Sequence, residues 1–285
     1  MIKRAHLRQF LAVVDTGNFT RAAERVGLAQ PSLSAGIAEL ERVVGAKLFL
    51  RERRRIRLTD AGNRLLAHAR SIEREFRLAE AELAASTPVA EPLRLGVIPS
   101  LATTMLAAIV SAYHGERALV LVEGTDADLR KRLAEGQVDA ALTLLRPEDR
   151  DRPSLELFEE GYAAMLPEGH PLAGHDLLEA ADVAGETMIA RRSCEVLAET
   201  SRWFTQRGVR PPFFLRSAND DRCMEMVRIG MGITTAPESL VRSGIRAIPL
   251  AGYDFRRRLG LLLPRDTTVG AADHPLGQAC RLALG

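Results

Sequence analysis

At 285 residues the chain has room for about two domains. Its 46% hydrophobic and 27% charged content is that of an ordinary globular protein and excludes a disordered or fibrous chain. Net charge is +2, but residues 1–60 hold twelve Lys/Arg against six Asp/Glu, so this end carries +6 and the remainder −4. A basic end fits a polyanionic partner, and taken alone it equally fits a solvated basic face. Apolar runs such as Leu259–Leu263 are too short to span a membrane, and Met1 to Arg8 is charged where a secretory core is apolar. A cytoplasmic protein with no membrane partner is expected. Cys194, Cys223 and Cys280 are too far apart for a metal knuckle or a disulfide framework, so no metal is expected.

In chain order, Leu7, Phe10, Leu11 and Val14 recur at helical spacing, and Gly17 stops that helix. Asn18 suits the N-cap of a second helix, Phe19 to Val26, which Gly27 ends. Pro31 suits the first position of a third helix, where Leu33, Ile37, Leu40 and Val44 make one apolar stripe. Gln30, Ser32, Ser34, Ala35, Ala38 and Arg42 fall off the stripe. Small groups on an outer face permit close approach to another surface, and the major groove of B-DNA admits a helix whose Gln and Ser can bond base edges. The pattern alone also fits a plain helical hairpin. Leu48–Leu50 and Ile56–Leu58 then read as strands around the basic tip Arg51-Glu52-Arg53-Arg54-Arg55, a wing whose arginines reach phosphates or the minor groove.

From Leu7 to Gly62 the order and spacing of Phe10, Val13, Gly17, Phe19, Thr20, Ala22-Ala23, Gln30-Pro31-Ser32-Leu33-Ser34, Ile37, Leu40-Glu41, Gly45, Leu48-Phe49, Arg51 and Leu58-Thr59-Asp60-Ala61-Gly62 resemble the winged helix-turn-helix of LysR-type transcriptional regulators. The resemblance implies double-stranded DNA as partner. The contact set it implies is Thr20, Gln30, Pro31, Ser32 and Ser34 with Arg51, Arg53, Arg54 and Arg55 of the wing. Ala35-Gly36 departs from the family, where a long polar side chain is frequent, and leaves base readout to Gln30, Ser32 and Ser34 with DNA shape supplying the rest.

Thr59 can cap a long helix from about Asp60 to Ala85. Within it Leu65, Ala69, Ile72, Phe76, Ala79 and Leu83 step by 4, 3, 4, 3, 4, a heptad seam expected to join two copies. Ser86 to Pro92 breaks the helix and reads as a linker. The resemblance implies a homodimer through this helix and a homotetramer, and admits contact with RNA polymerase.

From Leu93 onward strands alternate with helices: Leu93–Ile98, Leu119–Glu123 and Val138–Leu144 in a first lobe, then Thr187–Ala190, Phe213–Arg216 and Ile233–Ala236 in a second, with Arg256–Pro264 returning to the first. Two α/β lobes of parallel sheet with two crossovers resemble the periplasmic-binding-protein-like effector domain of the same family. The expected architecture is α/β overall: a winged helix-turn-helix (1–59), a linker helix and hinge (60–92) and a two-lobed effector domain (93–285). Its first lobe is placed at about 93–160 plus 265–285 and its second at about 161–264.

Ligands of α/β sheets bind beyond the carboxyl ends of strands. Ser100, Leu101, Thr143, Arg191, Ser193, Cys194 and Asn219 fall there and are the candidate effector residues. Each also reads as a cap or turn residue. Arg191 and Arg192 favour a carboxylate or other anion, and one of them equally fits a surface charge. Cys194 follows two arginines and precedes a helix, both of which lower a thiol pKa. Peroxide-sensing relatives place a reactive cysteine similarly, but no resolving cysteine lies between Cys194 and Cys223. The leading expectation is a DNA-binding regulator switched by a small-molecule effector, with no cofactor and no catalytic residue. A redox-responsive regulator acting through Cys194 is the alternative. An enzyme with Cys194 as nucleophile ranks below both, since no positioned base or paired carboxylates accompany it.

Overall fold

Gly17 and Gly27 end the first two helices with left-handed backbone, φ 62° and 69°. These helices are α1 (Arg4–Thr16) and α2 (Phe19–Val26), and the Asn18 side chain caps α2 by accepting from the Thr20 and Arg21 N–H groups. α3 spans Gln30–Val44 with Ala29 as its cap. Pro31 is therefore its second residue, not its first; either position belongs to the turn whose N–H groups have no helical acceptor. Leu33, Ile37 and Leu40 of α3 are fully buried with Phe10, Val13, Ala22 and Ala23, and Val44 packs at the margin of that core. The computed structural model describes residues 1–52, 55–84 and 91–284.

β1 (Phe49–Glu52) and β2 (Arg55–Leu58) form the wing, antiparallel, with Glu52 opposite Arg55. Its base is tied to α4 (Asp60–Ala84) by Thr59, whose N–H donates to the Leu48 carbonyl at 3.0 Å. The Thr59 hydroxyl donates to the Lys47 carbonyl at 2.6 Å and accepts from the Gly62 N–H at 3.0 Å. A Cβ at Gly62 would stand 2.3 Å from the Leu48 carbonyl oxygen, so the first turn of α4 can lie this close only with glycine there. The Glu41 carboxylate adds a second tie, accepting from the Leu48 N–H at 2.9 Å and the Lys47 ammonium at 2.7 Å.

The chain forms two units, Met1–Pro92 with Lys131–Gln137 and Leu93–Arg130 with Val138–Gly285. The second is built from β3 (Leu93–Val97), α5 (Thr103–Ser111), β4 (Leu119–Glu123), the first half of α6 (Asp126–Ala134), β5 (Ala140–Leu144), β6 (Ser154–Pro167), β7 (Met188–Arg191), α7 (Leu197–Gln206), β8 (Phe213–Ser217), α8 (Asp220–Arg228), β9 (Thr234–Pro237), β10 (Ile245–Ile248), β11 (Arg256–Leu262) and α9 (Pro275–Leu284). β3 pairs in parallel with β4 and β5, as expected, but the sheet is mixed. β6 and β11 run antiparallel to each other, and β11 runs antiparallel to β5.

β6 carries the chain between lobes. Its residues to Gly161 pair with β11, and from Tyr162 onward it pairs with β9 and β10. β11 pairs with β5 and β6, so Arg256–Leu262 returns to the first lobe as expected of that strand, although the lobe limits of 161–264 and 265–285 counted it with the second. β10 is not among the expected strands: its four residues, Ile245-Arg246-Ala247-Ile248, are too few to show a two-residue period. The first lobe buries Leu95, Leu129, Leu142, Leu261 and Cys280 in one core; the second buries Trp203, Phe204, Ile233 and Tyr253 in one cluster and Cys223, Met224 and Val227 in another.

Candidate functional site

The outer face of α3 is assembled by exclusion. Its apolar stripe is spent on the core, so Gln30, Pro31 and Ser32 are exposed and Ser34 is half-buried. Gln30 Nε2 donates to Ser34 Oγ at 2.9 Å, which orients both side chains in the free chain. Thr20 is exposed in the first turn of α2. Gly36 does not belong to this face. A Cβ there would fall 1.8 Å from Gln9 Oε1, the end of a flexible side chain, so a longer residue at this position would have to displace the Gln9 side chain of α1. Ala35 is exposed and does belong to it. Arg53 and Arg54 lie outside the described residues, as do the side chains of Arg51 and Arg55 on the two wing strands.

The heptad seam divides. Ala69 is fully buried and Leu65 partly buried against the helix-turn-helix core, together with Leu66, which the seam did not include. These positions are taken within the protomer and are not free for a partner. Farther along, Ile72 is 41% and Phe76 44% exposed, and Ala79 is exposed as well. The Arg4 guanidinium lies over the Phe76 ring, 4.4 Å from its centre, and pairs with Glu73 and Glu80 on either side. The Leu83 side chain is outside the described residues.

In the second unit the candidate effector residues do not converge on one cavity. Ser100, only 1% exposed, sits after β3 in a polar knot joining the lobes. Arg257 on β11 donates to the Ser100 hydroxyl at 2.9 Å and carbonyl at 3.1 Å, to Glu195 at 2.8 Å and to Glu160 at 2.8 Å. Glu195, on the loop before α7, also accepts from the Ser100 hydroxyl and, at 3.1 Å, from the Tyr162 hydroxyl. Burial, reinforced by the Glu195 carboxylate, pushes the Tyr162 phenol up and keeps it a donor. A 360 Å³ cavity opens on Tyr162, Glu195 and Arg257.

Thr143 is fully buried and donates to Asp126 at 2.8 Å, within a network where Arg130 pairs with Asp126 and Asp149. Arg191, expected to favour an anion, is 2% exposed and already holds one: its Nε donates to Asp220 at 2.9 Å. Ser193 donates to the same carboxylate at 2.6 Å. Asn219 caps α8, accepting from the Arg222 N–H at 2.8 Å. Leu101 is core and shares a 320 Å³ cavity with Asn219, while Cys194 and Arg191 line a different one of 540 Å³.

Cys194 departs from expectation. Burial pushes its thiol above the ordinary value, and Arg191 opposes that only in part. Asp220 explains the weakness of the opposition, because the charge on Arg191 is matched within its own ion pair. Cys223 and Cys280 are fully buried, and burial pushes Cys280 up to about 12.

Glu195, Arg257, Tyr162 and Glu160 were missed from sequence. A signal existed for one of them: Arg256-Arg257-Arg258 are consecutive in a strand, and alternation turns the middle arginine to the face opposite its neighbours. Among the described residues, no three His, Cys, Asp or Glu groups are placed to hold a metal, and no helix is long and apolar enough to cross a membrane.

Residues 5–63 match the family model "Bacterial regulatory helix-turn-helix protein, lysR family", and residues 86–282 match "LysR substrate binding domain". A probable hydrogen peroxide-inducible genes activator of Mycobacterium avium is 30% identical over 269 residues, covering 90% of this chain and 86% of that protein. The Hca operon transcriptional activator HcaR of Escherichia coli K12 is 29% identical over 238 residues, 81% of this chain and 80% of that one. Among solved structures, a full-length OxyR variant from Pseudomonas aeruginosa aligns over 99% of this chain and 96% of its own at a TM-score of 0.67 and 22% identity, a likeness of fold.

Proposed function

We infer how this protein works from its family: the chain belongs to the LysR-type transcriptional regulators, DNA-binding proteins with a helix-turn-helix domain and an effector-binding domain. We propose that the exposed start of α3 enters the major groove, with Gln30, Ser32 and Ser34 at base edges and the wing arginines on the flanking backbone or minor groove. The observation that carries this is the separation of faces on α3, where Leu33, Ile37 and Leu40 are wholly buried and Gln30, Pro31 and Ser32 are exposed. Two protomers joined through Ile72, Phe76, Ala79 and Leu83 of α4 would read two half-sites. A small-molecule effector, with no other cofactor, would act on the seam between the lobes around Ser100, where the ties from Arg257 and Glu195 can differ between two arrangements.

Gln30→Ala with Ser34→Ala is expected to cost about 1–3 kcal/mol of discrimination between operator and mismatched duplex. The loss should be nearly absent on nonspecific DNA. Fluorescence anisotropy on both duplexes measures it, and an equal loss on both would remove these residues from base readout.

A second reading is favoured by the likeness to peroxide-inducible activators: Cys194 as an oxidant sensor. The raised thiol weighs against it. Peroxide is therefore expected to leave operator binding unchanged, and reaction of Cys194 with a thiol reagent to be slow at neutral pH and to accelerate only as pH rises past the ordinary cysteine range. A peroxide response in the wild type that vanishes in Cys194→Ser would reverse the order of the two readings. A catalytic role for Cys194 has no support from the family, which is one of regulators.

A further inference from the structure

The buried arginines of the second unit are committed internally. Arg257 is matched by Glu160 and Glu195, and Arg191 by Asp220. Neither offers a free charge to an anionic ligand. A different place does. The 540 Å³ cavity of the second lobe lies between α7 and the β7–β8 pair. Its wall is apolar: Met188, Ile189, Phe204 and Val209 are all buried, and Phe213 closes one side at 49% exposure. Arg192, Arg210 and Arg216 also line it, all exposed, and among the described residues none of the three has an acidic partner. The Arg216 guanidinium lies over the Phe213 ring, 4.6 Å from its centre, so the charge is held at the apolar edge. The hydroxyl of Thr200 in the wall is satisfied, bonded to the Val196 carbonyl at 2.8 Å and to Tyr253.

We propose that this cavity is a second ligand site, separate from the interlobe knot, for a small organic anion with an apolar body. The volume suits a drug-sized molecule. The apolar wall would take an aromatic or alkyl body, and the arginines at the mouth would take its carboxylate or sulfonate while remaining partly solvated. A neutral molecule of the same shape gains only the first of these, and a cation is repelled at the mouth. Because ligand binding here is measured without DNA, the proposal stands or falls apart from the operator reading.

The chain has a single tryptophan, Trp203, whose ring centre lies 4.9 Å from that of Phe204 in the cavity wall. Its fluorescence reports on occupancy. The full-length protein would be titrated with phenylbutyrate, phenylbutanol and phenylbutylamine, which share a body and differ in charge. The expected order is acid, alcohol, amine, with the acid tightest. In Arg210→Glu with Arg216→Glu the acid should weaken by about tenfold or more and the amine should gain. Both positions are exposed, so the variant should keep its Tm, and calorimetry checks that it does. No binding of the acid, equal binding of acid and alcohol, or an unchanged acid affinity in a folded reversed variant would each overturn the proposal.

Discussion

Phe76→Glu is expected to lower affinity for a two-half-site operator by about 10²–10⁴-fold, the size of the avidity lost when two reading heads are no longer linked. Among the described residues, Phe76 and Ile72 are the large apolar side chains that α4 leaves exposed, whereas Leu65 and Ala69 are held in the protomer's own core. A glutamate at the centre of the remaining seam would face its symmetry mate, and two like charges in an apolar contact oppose pairing. The protomer itself should lose little. Phe76 contributes only a solvent-exposed stack under Arg4, and the new carboxylate keeps a partner in the same guanidinium. Sedimentation velocity should therefore show a smaller assembly than the wild type's, calorimetry a near-native Tm, and anisotropy the loss of affinity. A dimer that persists with full affinity would move the interface away from α4.

The largest stability effect is expected at Asp220. Its carboxylate is buried, accepts from Arg191 through Nε at 2.9 Å and from Ser193 at 2.6 Å, and faces a guanidinium that is itself 2% exposed. Asp220→Ala strands that charge, and breaking such a pair from one side costs about 3–5 kcal/mol. Pairing it with Arg191→Met removes the stranded charge and should recover most of the loss, because the penalty comes from the unmatched ion rather than from the missing contact. Calorimetric unfolding of the wild type, the single variant and the double variant measures this. A single variant within about 1 kcal/mol of the wild type would show that water reaches Arg191 readily and that the ion pair is not what holds β7 to α8.

The helix-turn-helix was legible almost to the residue because its signals are local. Asn18 supplies a cap, Gly17 and Gly27 supply left-handed stops, and the stripe of α3 has one period. The seam of α4 was legible as a pattern but not in its allocation, since spacing cannot say that Leu65 and Ala69 face the same chain while Phe76 does not. In the second unit most strand positions followed from apolar runs, β6 and β10 excepted, but sheet direction did not. Whether β11 lies parallel or antiparallel to β5 is decided by a contact more than a hundred residues away in sequence. The candidate site suffered from the same limit. Ser100 was recognisable as a strand-end hydroxyl, but its partners Glu195 and Arg257 lie 95 and 157 residues further along the chain. Arg191 and Ser193 were read as candidate effector residues or turn residues, because the acid that claims both, Asp220, lies 29 and 27 residues further along the chain.

Short side chains on α3 and the basic wing should give this protein its preference for a particular duplex. The direct measurement is competition: purified full-length protein on a labelled fragment of its own upstream region, titrated with unlabelled copies of that fragment or of its scrambled sequence, at a fixed salt concentration. Specific DNA-binding regulators favour their sites over other sequence by about 10³–10⁷, so the native fragment should displace the label at far lower concentration, with a two-fold-related footprint. Equal displacement by both competitors, with and without a cell metabolite extract, would contradict the account.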